Sequence, residues 1–337
     1  IWLIKKIDDS KFAVSTRTGG VLILSYTGKL IRIINKERGL PQVRIYNMTL
    51  DKDNNLWACS ENGIIKIDIG FPSYLFDENH GLDGLAIETY SINGVQYVGT
   101  LTGLFYLPEY QTDILGDKHE FKRINSYDGS CWKILSYHGV TYASGNRGIW
   151  TIEDSLAKEI YSPENAASIY TMYVSDNFPD ILFFGISDRF EYIKLPKDPK
   201  NNDQKIGKSF VFPEVRGNVH GITEDKDGNI WLSTSLNGIY LLRFADDDFA
   251  NYTVTHLTEK NGLPEIDQNR VFNLENEIFI ATKKGVLQQD IQENSSPDSL
   301  IQFTYSKFFG EIIYNPVTRI EEVGLDKYLV LGDSVFF

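Results

Sequence analysis

The chain has 337 residues, 42% of them hydrophobic and 13% aromatic, which is enough apolar material for a large core. Its formal charge is −13, and the acidic residues are scattered, not run together. That balance excludes an electrostatic nucleic-acid surface, and no apolar run is long enough to insert in a membrane.

In chain order, short apolar strands begin near Trp2, Arg44, Glu88, Trp132, Tyr170, Val219, Arg270 and Thr318. Each opens a unit with a strand–turn–strand centre. The clearest centres are Asp51-Lys-Asp-Asn-Asn-Leu-Trp57-Ala-Cys-Ser-Glu61 and Asp225-Lys-Asp-Gly-Asn-Ile-Trp231-Leu-Ser-Thr-Ser235, eleven residues that nearly coincide. Weaker copies run from Ala13, Tyr97, Tyr142, Phe183, Phe279 and Leu329. Gly20, Gly63, Gly103, Gly148, Gly238 and Gly285 stand 43, 40, 45, 90 and 47 residues apart, and the interval of 90 is two periods. A period in the forties built from short strands is the pattern of a propeller, not of a helical solenoid.

The unit around Trp231 shows the logic. Residues 218–224 read as an inner strand, 225–229 as a polar turn, and 230–234 and 239–244 as the next two strands. Residues 252–257 supply the outer strand, and Glu259-Lys-Asn-Gly-Leu-Pro264 leads to the next unit. No segment sustains a period of 3.6 over ten residues. The fold class predicted is all-β: a β-propeller of four-stranded antiparallel blades, seven or eight in number, formed by residues 1–337 as one domain. Because Ile1 opens directly on a strand without a Met, the chain reads as a fragment of a longer protein.

The phrase D-x-D-G-N-I-W-x-x-T, with N-G-L-P before the next inner strand, resembles the regulator-propeller repeat of two-component sensors. The family is that of the sensor regions of Bacteroides-type hybrid two-component histidine kinases. Residues 218–264 match over their full length and residues 43–82 nearly so. The resemblance implies an extracytoplasmic, periplasmic sensor domain that recognises a glycan or oligosaccharide and signals across the membrane to regulate transcription. It implies, as partners, further propeller and immunoglobulin-like domains of the same chain and a homodimer in the full-length sensor. It implies no kinase chemistry in this segment. A propeller that binds protein or dimerises without a small ligand is the alternative, and a glycan-cleaving enzyme is the third reading.

Chemistry-bearing patterns are few. Glu88, Glu321 and Glu322 fall on inner strands, but no acidic pair recurs at matching positions, so no catalytic residue is assigned. Asp51-x-Asp53-x-Asn55 and Asp225-x-Asp227-x-Asn229 look like calcium loops but lack a glutamate at the twelfth position, so turn capping is expected. His80, His119, His138, His220 and His256 form no close pair, and no nucleotide motif is present; no metal and no cofactor are expected. Cys59 and Cys131 read as small buried hydrophobes.

The candidate site is the mouth of the central channel, where each inner strand begins. Alignment on the second-strand aromatic puts Tyr46, Glu88, Lys133, Tyr170, His220 and Arg270 at equivalent positions, with Trp132, Arg44 and Arg319 one or two residues away. Alternate residues of each inner strand should point inward. Arg147 and Lys283, with Glu61, Asn146, Asp188 and Lys284, come to the same side from hairpin tips. Guanidinium forks and aromatic faces together suit an acidic or hydroxyl-rich sugar. Trp57, Tyr97, Tyr142, Phe183, Trp231 and Phe279 recur at one strand position and are expected to pack between blades.

Overall fold

Alternation of apolar and polar residues with tight turns between them produces strands, and strands dominate the computed structural model. It describes residues 3–16, 20–35, 40, 44–52, 55–60, 63–67, 69, 76, 78–108, 120–165, 167–196, 205–245, 249, 251–289, 301–307, 309, 317–324 and 327–332. Eight antiparallel sheets form among them, each an up-and-down meander: six of four strands, one of three and one of two. The only helices among the described residues are single 3-10 turns such as Glu78–His80 and Glu259–Asn261. These turns occupy the connections between units, where the sequence suggested only a loop. The fold is an all-β propeller of antiparallel blades.

Two compact units divide the chain: Ile1–Asp83 with Leu107–Lys122, and Gly84–Tyr106 with Arg123–Phe337. In the second unit the inner strands Ala86–Ile92, Cys131–Tyr137, Ile169–Val174, Val219–Glu224, Arg270–Leu274 and Val317–Gly324 are neighbours in succession. The blade around Trp231 has strands Val219–Glu224, Ile230–Thr234, Ile239–Phe244 and Tyr252–Leu257, as its sequence predicts.

The repeated Asp-x-Asp-x-Asn-x-Trp phrase is a self-contained turn. Oδ1 of Asp225 accepts the backbone N–H groups of Asp227 and Asn229 at 3.0 and 2.9 Å. Oδ2 accepts from Asn229 Nδ2 at 3.0 Å and from the Trp231 indole at 2.9 Å. Asp51 holds Asn55 and Trp57 in the same way. The carboxylate lone pairs are spent on the turn itself, which is why these residues serve structure instead of ion binding.

The recurring aromatics near the start of the second strands were expected to pack between blades. Tyr97, Tyr142, Phe183, Trp231 and Phe279 are buried, and Trp231 packs against Leu263, Val271, Ile280 and Phe303 of the following blade. Trp57 departs from this expectation. It is 38% exposed, held at its edge by Asp51 and covered on a face by the Lys66 ammonium 5.8 Å away. The cysteines also differ, since Cys131 is buried and Cys59 exposed, both as free thiols. Burial pushes the Cys131 thiol up to about 12.

Two residues beyond that strand position, which Ala13 fills in the first blade, every blade from the first to the seventh has a small residue: Ser15, Cys59, Gly99, Ser144, Gly185, Ser233 and Ala281. Steric demand explains the two glycines. A Cβ on Gly99 would lie 2.7 Å from the Cys131 carbonyl oxygen, and one on Gly185 would lie 2.3 Å from that of Val219. Each of those carbonyls belongs to the next inner strand, so the small residue sets how closely two blades approach. In the same pair of blades as Gly185, Phe183, Phe190, Phe212, Phe244, Phe249 and Tyr192 interlock at centroid distances of 5.0–6.3 Å. Full burial of one such ring stabilises the fold by about 1.5–3 kcal/mol.

Candidate functional site

The inner strands of the second unit converge on a cavity of about 850 Å³, to which six successive blades contribute. Glu88, Trp132, Lys133, Tyr170, His220 and Arg270 all line it. What aims them is a β-bulge near the start of the strand. Cys131 faces Gly145 and Lys133 faces Ser144, so Trp132 is an extra residue without a partner in the ladder. The same irregularity isolates Tyr46, Ile87, Tyr170, His220 and Thr318 in their blades. A bulge puts two consecutive side chains on one side of a strand and turns them off the regular alternation.

Two corrections to the sequence alignment follow. Consecutive pairs, such as Ile87 with Glu88 and Trp132 with Lys133, line the cavity, where strict alternation was expected. The equivalent positions are Tyr46, Ile87, Trp132, Tyr170 and His220, so Glu88, Lys133 and Arg270 sit one residue further along. The sequence misses the bulge because an inserted residue leaves no mark in a pattern of period two.

The polar groups of the cavity are matched to one another. Glu88 is 6% exposed, and the Lys133 ammonium donates to its Oε1 at 2.6 Å. Arg270 Nη1 donates to His220 Nδ1 at 2.6 Å and to the His220 carbonyl at 3.2 Å. A ring nitrogen that accepts from a guanidinium is unprotonated, so His220 carries its proton on Nε2. Burial first, and the Arg270 charge second, push this histidine down to about 4. His220 therefore orients the guanidinium and adds no charge. Glu88 offsets Lys133 within the cavity.

Beside these pairs lies an aromatic wall. Trp132 and Tyr170 meet edge to face with centroids 5.4 Å apart. Both rings are partly open to the cavity, a geometry that offers faces to a flat ligand. At the other ends of the strands, Tyr173 and Asn273 reach the buried Glu224. Its carboxylate accepts from Tyr173, Ser175, Asn177 and the Asp176 N–H. Burial and this carboxylate push the Tyr173 phenol well up.

The remaining predicted residues are not among the described lining residues. Tyr46 and Arg44 are exposed and belong to the other compact unit. Arg147 is exposed at its hairpin tip, and Lys283 is ion-paired with Asp267; neither lines the cavity. Arg319 lies in the strand Val317–Gly324 with its side chain outside the described residues, as are the side chains of Glu321 and Glu322. Glu61 and His119 are also outside them. Sequence reasoning missed Asn218 as a lining residue; it accepts the Asp188 N–H at 3.0 Å from the adjacent hairpin tip. Among the described residues, no group of three or more His, Cys, Asp or Glu side chains is arranged to hold a metal ion.

Residues 215–235, one repeat, match the family model "Two component regulator propeller". No curated protein matches in sequence. Among solved structures, the chain is similar to the extracellular domain of a B. thetaiotaomicron protein described as a hybrid two component system, BT3049. The TM-score is 0.66 at 16% identity, over 98% of this chain and 44% of that one. It is also similar, at a TM-score of 0.48 and 13% identity, to the extracellular domain of BT4673 from B. thetaiotaomicron, covering 99% of this chain and 50% of that one. Streptogramin B lyase aligns at a TM-score of 0.43 and 14% identity, over 83% of this chain and 89% of the lyase. The chain spans less than half the length of the first of these. It resembles the regulator-propeller sensor domains of Bacteroides hybrid two-component systems.

Proposed function

We propose that residues 1–337 act as one extracytoplasmic, periplasmic ligand-sensing propeller of a two-component sensor histidine kinase, and that the cavity binds a saccharide. The cavity itself carries this reading: a space of about 850 Å³ with an aromatic wall at Trp132 and Tyr170 and a guanidinium preset at Arg270. The regulator-propeller match at residues 215–235 supports the sensor role. No described helix is long and apolar enough to cross a membrane, so a signal would leave through neighbouring domains of the same protein. Further propeller and immunoglobulin-like domains and a homodimeric partner are the proposed route. The binding is non-catalytic in this reading, since Glu88 is tied to Lys133 and is the only carboxylate among the described lining residues.

A thermal-shift and calorimetric screen of neutral, uronate-bearing and sulfated oligosaccharides tests this. For an oligosaccharide that binds, Arg270→Ala and Trp132→Ala should each weaken affinity roughly ten- to a hundred-fold, and Asp227→Ala in the far turn should not. Equal affinity across all four proteins would remove the ligand from this cavity. Reducing ends appearing on prolonged incubation would replace the sensor reading with an enzymatic one.

A further inference from the structure

Trp132 is aimed twice over. The bulge turns it toward the cavity, and its indole N–H donates to Asn146 Oδ1 at 3.2 Å. Asn146 stands at the hairpin tip of the same blade and belongs to a short chain of bonds. Its Oδ1 also accepts from Ser168 Oγ at 2.8 Å, and its Nδ2 donates to Ser130 Oγ at 3.4 Å. Ser130 in turn donates to the Leu101 carbonyl at 3.0 Å, and a backbone bridge ties Asn146 to Ser168. Three consecutive blades are thereby linked to one amide. Rotation of the indole would break its bond and leave the edge-to-face contact with Tyr170.

We propose that Asn146 is a positioning residue that fixes Trp132 as a stacking platform and so makes the cavity select ligands with a flat ring face, a pyranose over an acyclic polyol acid. The inference rests on the saccharide reading of the cavity. A ring held in place before binding loses less freedom when a ligand stacks on it, and a ligand without a ring face gains nothing from that. Asn146 touches no ligand in this account; it acts through Trp132.

The test uses the whole chain labelled with 5-fluorotryptophan, whose five tryptophans give separable fluorine signals, with Trp132 assigned through Trp132→Phe. Asn146→Ala should shift and broaden the Trp132 signal and leave the other four in place, which also reports that the fold is intact. Asn146→Asp, which keeps an acceptor for the indole, should restore it. In calorimetry, Asn146→Ala should weaken digalacturonate roughly five- to tenfold and leave glucarate unchanged, whereas Arg270→Ala should weaken both. An unmoved Trp132 signal, or equal losses for the two acids in Asn146→Ala, overturns the proposal. If the wild type binds no saccharide of the screen while the Trp132 signal behaves as expected, the saccharide reading falls, and with it the pyranose selection, while the positioning by Asn146 stands.

Discussion

At the scale of single residues, the same letter does different work according to how far it is enclosed. Trp57 and Trp231 occupy the same place in the same phrase, and each donates its indole N–H to the aspartate six residues earlier. Only Trp231 is enclosed, at 2% exposure against 38% for Trp57. Trp231→Ala should cost about 3–5 kcal/mol, because a cavity opens against Leu263 and Phe303. Trp57→Ala should cost about 1–2 kcal/mol, chiefly the lost bond to Asp51. Urea unfolding of the two variants measures the difference, and equal losses would mean that Trp57 is packed as tightly as its counterpart.

At the scale of the element, two local devices turn an ordinary meander into a blade that presents a site. One is the small residue beneath the neighbouring inner strand. Gly185→Ala should destabilise by about 1–3 kcal/mol, since the added carbon meets the Val219 carbonyl oxygen and not a flexible side chain. Gly207→Ala, where an added Cβ meets nothing within 4 Å, is the control. Matching midpoints for the two variants would show that the blades have room to part. The other device is the bulge, which brings Trp132 and Lys133 to one side of a strand whose regular alternation would separate them. Strand positions were legible from turn residues and apolar runs, and the blade around Trp231 falls within a residue of its predicted bounds. The bulges were not, because they depend on how an inner strand fits its partner under the load of the next blade.

At the scale of the whole molecule, the site is a meeting of strands distant in sequence, and its charge state reflects that. His220 and Arg270 are 50 residues apart and share a proton-free nitrogen. His220 lies at about 4 in the folded chain against 6.5 for an unperturbed histidine. The unfolded chain therefore takes up this proton first. The contribution to stability is complete above pH 6.5 and declines as the pH falls toward 4. Unfolding free energies measured between pH 7 and 4.5 should drop more steeply for the wild type than for His220→Gln, whose amide does not titrate. Parallel curves would place His220 in water and remove it as the support of Arg270.

The sequence by itself determined the repeat, the strand order within each blade and the turn chemistry. Those depend on residues within about forty positions of one another, and a period in the forties repeats the information along the chain. It also brought Glu88, Trp132, Lys133, Tyr170, His220 and Arg270 forward as candidates, because inner-strand starts share a place in the period. Only the tertiary structure decided what those side chains do. Glu88 meets Lys133 across 45 residues, His220 presets Arg270 across 50, and Asn146 holds Trp132 from a hairpin tip. Such pairings are set by the close approach of neighbouring blades and by one extra residue in a ladder, neither of which a pattern of apolar and polar residues records.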